Sequence, residues 1–123
     1  MMRFLLFILV ILISSCGNRA KRELLAGDWQ ASSIEEEGRP LKVDLEDIRF
    51  SFDNRKHYSY ESTLRYREAG FYAIRRQYLF TEDTIRPESL EKAVEILRLT
   101  ADTLELKMME GGKERKLVMV KEK

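Results

Sequence analysis

Ile48-Arg49-Phe50-Ser51-Phe52, the turn-like Asp53-Asn54-Arg55-Lys56 and then His57-Tyr58-Ser59-Tyr60-Glu61 decide the fold of this chain. Side chains of a β-strand alternate between its two faces, so Ile48, Phe50 and Phe52 share one face while Arg49, Ser51 and Asp53 share the other. Tyr58, Tyr60, Ser62, Leu64 and Tyr66 form a second alternating set, with His57, Ser59, Glu61, Thr63 and Arg65 between them. Two such ribbons joined by a short polar turn read as a hairpin.

The same pattern extends outward in both directions. Glu68-Ala69-Gly70 is expected to break it and Phe71 to Phe80 to restart it, with both parities partly apolar. Thr81 to Lys92 is polar and carries Pro87, which reads as a loop with room for one helical turn. Val94 to Leu99, Thr103 to Met109 and Arg115 to Lys121 read as the last three strands. Thr100-Ala101-Asp102 and Glu110-Gly111-Gly112-Lys113 are the compact turns between them. On the N-terminal side a short helix, Lys21 to Ala26, precedes a strand from Trp29 to about Ile34. Glu35 to Pro40 is then a turn, and Leu41, Val43 and Leu45 suit a further short strand. The chain is therefore expected to be all-β, an antiparallel up-and-down meander of seven or eight strands. Such a sheet must hide its apolar face and its edges. Nearest-neighbour connections favour closure into a small barrel over a Greek-key sandwich.

Leu25-Ala26-Gly27-Asp28-Trp29 matches a Gly-x-Trp motif placed after a short helix. Together with Ile48–Phe52 and Gly70-Phe71-Tyr72-Ala73-Ile74, it resembles the small bacterial lipocalin-like domains, over roughly residues 24–121. The resemblance implies a lipocalin-like barrel with Trp29, beside Gly27, plugging one end under a basic side chain near the last strand. Arg115 and Lys121 both lie in the matching region. The chain departs from full-length lipocalins in being short and in lacking disulfides, which puts a large ligand cavity in doubt.

The first residues carry a different signal. Arg3, the apolar run Phe4 to Ile13 and then small residues before a cysteine form an export signal. The run is about half of the ~20 residues that a spanning helix needs. Ile13-Ser14-Ser15-Cys16 resembles the lipobox of bacterial lipoproteins, in which the cysteine is acylated and becomes the first mature residue. Cleavage without lipidation is the rival reading. Against it, Cys16 is the single cysteine and has no intramolecular disulfide partner. The expected organisation is a signal peptide at 1–15, a lipidated Cys16 with a short tether to residue 23, and the barrel domain at 24–123. Gly17 rather than Asp after Cys16 points to an outer membrane, and the absence of an acidic run beside Arg19, Lys21 and Arg22 to its periplasmic face.

Of the 22 basic residues one is Arg3, so the mature chain balances 21 basic against 21 acidic side chains. Neutrality argues against a nucleic-acid partner. The aromatic content argues against disorder. Catalysis finds no pattern: His57 is the single histidine, no nucleophile, metal-ligand or phosphate-loop motif is present, and no cofactor is implied. Glu35-Glu36-Glu37 cannot all point one way on a strand and reads as a charged turn rather than a cation site.

Two constellations remain. Phe50, Phe52, Tyr58, Tyr60 and Tyr72, with Tyr66, Tyr78 and Phe80, either line a cup for an apolar ligand or fill the barrel. Small barrels are often only wide enough for their own side chains, so filling is favoured, with Tyr58, Tyr60 and Tyr72 as the best ligand contacts otherwise. Arg65, Arg67, Arg75 and Arg76, with Arg55 and Lys56, either touch lipid headgroups or an acidic partner, or form a solvated face alternating with Glu61, Glu68 and Glu82. The expected function is a membrane-anchored, non-catalytic envelope lipoprotein binding a small hydrophobic ligand or a protein partner at its open end. The alternative is a filled barrel acting as an interaction, inhibitor or structural module of an envelope complex.

Overall fold

The computed structural model describes residues 19–62, 65–86 and 91–122, so the signal peptide and Cys16 lie outside the described residues. A helix, α1, covers residues 19–25. The strands are β1 (Gly27–Glu36), β2 (Arg39–Pro40), β3 (Arg49–Phe52), β4 (His57–Glu61), β5 (Arg67–Arg75), β6 (Tyr78–Asp83), β7 (Lys92–Leu99), β8 (Thr103–Glu110) and β9 (Lys113–Lys121). All pairings are antiparallel, in the sequential order from β3 to β9, and β1 closes the ring by pairing with both β3 and β9. Eight strands thus form a closed up-and-down barrel, with β2 added as a short hairpin on the far end of β1. Register shifts beside Ser32 in β1 and Leu97 in β7 give the extra twist that bending a sheet round requires.

Closure gathers the connections at two ends. α1, the turns at 53–56 and 76–77 and the connection at 100–102 cap the closed end. The described connection residues 37–48, 62, 65–66, 84–86, 91 and 111–112 ring the open end. Trp29, Leu79, Leu104, Leu106, Leu117 and Met119 inside the ring are each at most 1% exposed and form one packed core. Leu25 of α1 is equally buried and joins this core.

Several boundaries differ from the sequence expectation. Glu68-Ala69-Gly70 does not break the pattern: it lies within β5, while β4 ends at Glu61, and Thr63 and Leu64 of the second alternating set, like Pro87 of the expected loop, lie outside the described residues. Gly70 is needed there because a Cβ would sit 1.9 Å from the Glu82 carbonyl oxygen. Thr81 to Asp83 extends β6 instead of opening a loop, since Thr81 pairs with both Tyr72 and Lys92. Leu41, Val43 and Leu45 form no strand; a 3-10 turn spans Leu45–Asp47. β1 runs on through Glu35 and Glu36, and the reversal falls at Glu37-Gly38, both with positive φ. Helix already covers residues 19–22, inside the stretch read as tether.

Candidate functional site

The closed end is built around Trp29. Its indole N–H donates to the Leu25 carbonyl at 2.8 Å, which pins α1 across the barrel floor. Register places Lys121 opposite Trp29. The Lys121 ammonium lies 5.0 Å from the indole ring and donates to the Leu24 carbonyl at 2.8 Å. Lys121, not Arg115, is therefore the basic side chain over the tryptophan. Its methylenes come within 3.3 Å of where a Cβ on Gly27 would be, and Gly27 has φ of 135°. Arg115 instead binds Glu36 at 2.7 Å at the other end.

Above the floor, the predicted aromatic contacts pack on one another. Phe50 stacks on Phe52 at 5.4 Å and meets the tilted Tyr60 ring at 4.5 Å, while the Tyr72 ring meets Phe52 edge-on at 5.2 Å. Phe50, Phe52, Tyr58 and Tyr72 are all buried, and Tyr60 is half-buried. Tyr72 donates its hydroxyl to the Asp53 carbonyl at 2.6 Å. Its titration is pushed up by burial and by the Asp53 charge, so it stays a donor.

Towards the open end the interior turns polar. Glu68 of β5 points inward and is buried, opposite Tyr60 in the β4–β5 register. One carboxylate oxygen accepts from the Tyr58 hydroxyl at 3.0 Å. The other accepts from the Tyr66 hydroxyl at 2.6 Å and from the Lys92 ammonium at 2.8 Å. Burial opposes its ionisation, yet the hydrogen bonds from Lys92 and Tyr66 and the Lys92 charge outweigh burial and hold Glu68 below the usual carboxylate range. Burial, then the Glu68 charge and hydrogen bond, push the Tyr58 phenol well above its ordinary value. Tyr66 lies between this interior group and the rim, with the Arg86 guanidinium 4.5 Å from its ring and the Tyr60 ring edge-on at 6.1 Å. Asp83 and Thr81 of β6 are buried beside them. Among the described residues no buried side-chain nitrogen or oxygen lacks a hydrogen-bond partner.

Outside the rim an open cleft of about 550 Å³ runs between the 3-10 turn and the β4–β5 connection. It combines Arg49, Arg65 and Arg67 with Glu46, Asp47 and Glu61, and reaches Tyr66.

A solved structure, that of a lipocalin-like protein from Bacteroides uniformis, matches with a TM-score of 0.61, covering 80% of this chain and 99% of that one at 19% identity. The fold is lipocalin-like. No protein-family model matches the chain, and no curated protein matches it. Within this lipocalin-like barrel the predicted Arg constellation is split. Arg65 and Arg67 lie at the open end, whereas Arg76 lies in a turn at the closed end and the Arg75 guanidinium covers the outer face of Phe80 at 4.9 Å. Glu68 leaves the solvated face to which the sequence reading assigned it and enters the interior. The signal for it was parity: Glu68 falls in step with Tyr72 and Ile74, both inward. His57 is exposed, its ring nitrogen 3.1 Å from the Asp53 carboxylate beside the β3–β4 turn. Among the described residues no group of His, Cys, Asp and Glu has metal-holding geometry.

Proposed function

We propose that the chain is a lipid-anchored, non-catalytic binding module of the bacterial envelope that engages its ligand or partner at the open end of a largely filled barrel. The filled core carries this reading: Trp29, Leu104, Leu106, Leu117 and Met119 pack together inside the ring, each at most 1% exposed. Binding is then left to the rim, where Tyr60, Tyr66, Glu68 and Lys92 combine ring faces with a buried acceptor. Lys92 is half exposed and holds its ammonium against Glu68, so an amine or guanidinium of a partner has a formed place to take over. Phe50, Phe52, Tyr58 and Tyr72 support that rim from below by filling the interior. Anchoring rests on the Ile13–Cys16 sequence, with acyl chains on Cys16 supplying ~0.8 kcal/mol per buried CH₂ and two chains sufficing for stable attachment.

Native mass spectrometry of the full lipoprotein, extracted from host membranes in detergent, tests the filled interior. A chain released with no additional apolar mass beyond its acyl groups is the expected result. A retained hydrophobic molecule that is lost on denaturation would place the site inside the barrel and overturn rim binding. The anchor is tested separately, by fractionation of Cys16→Ala, which should leave the membrane pellet or stall in processing.

A further inference from the structure

We propose that the closed end of the barrel is a docking surface for anionic lipid headgroups, so that the open rim faces away from the bilayer. The proposal rests on the anchored reading of Cys16 and adds an orientation to it. Three features place it at that end.

The first is where the chain leaves the barrel. α1 lies across the closed end, tied there by Trp29 to Leu25, by Lys121 to Leu24 and by the Lys21 ammonium donating to the Arg76 carbonyl at 2.9 Å. Only two residues separate Cys16 from Arg19, the first described residue of α1. That distance spans about 10 Å even when fully extended, so an acylated Cys16 would bring this end to the headgroups.

The second is charge. Arg19, Lys21 and Arg22 of α1 share the closed end with Arg55 and Lys56 of one turn, Arg76 of the next, and Arg98 before the last. Against them stand Glu23, Asp28, Asp53, Asp102 and Glu122, of which Asp28 accepts from the Ser51 hydroxyl and Glu122 pairs with Arg49. Glu23 faces Arg19 at 3.6 Å, Asp53 is occupied by the backbone N–H groups of Arg55 and His57, and Asp102 by Thr100 and Thr103. Because the mature chain is neutral, this excess must be balanced elsewhere. The described open-end connections carry Glu37, Asp44, Glu46, Asp47 and Glu91 against Arg39, Lys42, Arg65 and Arg86. The barrel is therefore polarised along its axis, with its positive end at the tether.

The third is a small apolar contact beside those cations. Leu24 and Leu97 are 36% and 43% exposed and line a shallow cleft of about 200 Å³ with Lys21, Arg76 and Arg98. Basic groups around exposed leucines suit an interface where ammonium and guanidinium groups meet phosphates and the leucines reach the acyl boundary. Each such cation at an anionic leaflet strengthens attachment about fivefold, within a screening distance of about 10 Å at 0.1 M salt.

Trp29 is the single tryptophan and lies at this end, which provides the test. The full lipoprotein is reconstituted into vesicles of phosphatidylcholine alone or with phosphatidylglycerol, each carrying a dansyl-labelled headgroup, and energy transfer from Trp29 is measured. Transfer should be at least about twofold greater on the anionic vesicles. It should drop to the neutral level in about 0.5 M salt, while the chain still floats with the vesicles. The combined Arg55→Glu, Lys56→Glu and Arg98→Glu variant, altered only at exposed positions, should lose the same increment without a change in melting temperature. Transfer indifferent to lipid charge, salt and the triple substitution would overturn the docking and leave the anchor standing. A mature mass without acyl chains, with no flotation on neutral vesicles, would overturn the anchor. The closed end must then still bind anionic vesicles in a salt-sensitive way, and failure there would overturn the docking as well.

Discussion

Replacing Trp29 with Ala removes more than a large side chain. The indole is fully buried, donates to the Leu25 carbonyl at 2.8 Å and supports the Lys121 ammonium at 5.0 Å. Deleting a buried tryptophan costs about 3–5 kcal/mol, from lost burial and the cavity left behind. The Leu25 carbonyl also loses its indole donor, and Lys121 is left over a void. Since a domain of this size has about 5–15 kcal/mol in total, Trp29→Ala should lower the melting temperature by roughly 15 °C or more. Urea unfolding followed by circular dichroism checks this, with an unchanged dependence on denaturant showing that the same surface is exposed. Lys121→Met keeps the aliphatic stem and removes the charge, and should cost no more than about 1 kcal/mol. The part of that loss due to the ring should shrink in the Trp29→Phe background, because phenylalanine holds a cation less well than an indole, while the part due to the Leu24 carbonyl remains. A loss below about 1 kcal/mol for Trp29→Ala would refute the argument that this residue closes the barrel.

The other expectations concern the barrel wall and its open end. Gly70→Ala places a methyl 1.9 Å from the Glu82 backbone oxygen, so it should destabilise by about 2 kcal/mol or more in thermal melts. Glu68 has its folded pKa held low, so the unfolded chain takes up the proton more readily and its contribution is complete above the ordinary glutamate value of about 4.3. Stability should therefore fall as pH drops from there through the lower folded value, and Glu68→Gln should flatten that part of a pH-stability curve. The same variant should cost about 1–3 kcal/mol at neutral pH, because a buried acceptor shared by Tyr58, Tyr66 and Lys92 is replaced. By contrast Arg49→Gln, whose ion pair with Glu122 is solvated and 3.8 Å long, should change stability by less than about 0.5 kcal/mol.

Why the barrel was legible, and its site only partly, follows from how β-structure records itself in sequence. Alternation and turn composition are local. The β3–β4 pairing of Phe50 with Tyr60 and Phe52 with Tyr58 follows from two short runs and the turn between them. The meander was legible for the same reason, because every pairing from β3 to β9 joins sequence neighbours, and closure was expected from the need to hide the sheet's edges. The partner of Trp29 was not, since Arg115 and Lys121 have the same parity and either could face the interior. Only the β1–β9 register separates them, pairing Trp29 with Lys121 and Glu36 with Arg115. That register is set by contacts between the first and last strands and by the bulge beside Ser32, neither of which a local pattern contains.

Glu68 shows the harder case. A charged residue beside Ala and Gly reads as a turn, and so the parity that would have sent it inward was interrupted at that point. The structure keeps the strand continuous because Gly70 lets the β6 backbone approach where any side chain would clash. The two observations belong together. Close approach at Gly70 brings β6 against β5, which carries Thr81 and Asp83 inward beside Tyr58, while Lys92 on β7 reaches back to Glu68. An interior polar group is tolerated only when its acceptors are filled, and here three donors from three different segments fill one carboxylate. A barrel that served only as a filled scaffold would be as well made with a leucine at position 68. Keeping a fully partnered acid there, beneath half-buried Tyr60 and Tyr66 and with a half-exposed lysine as one of its partners, fits the proposed rim site, in which a ligand's own cation would displace that lysine.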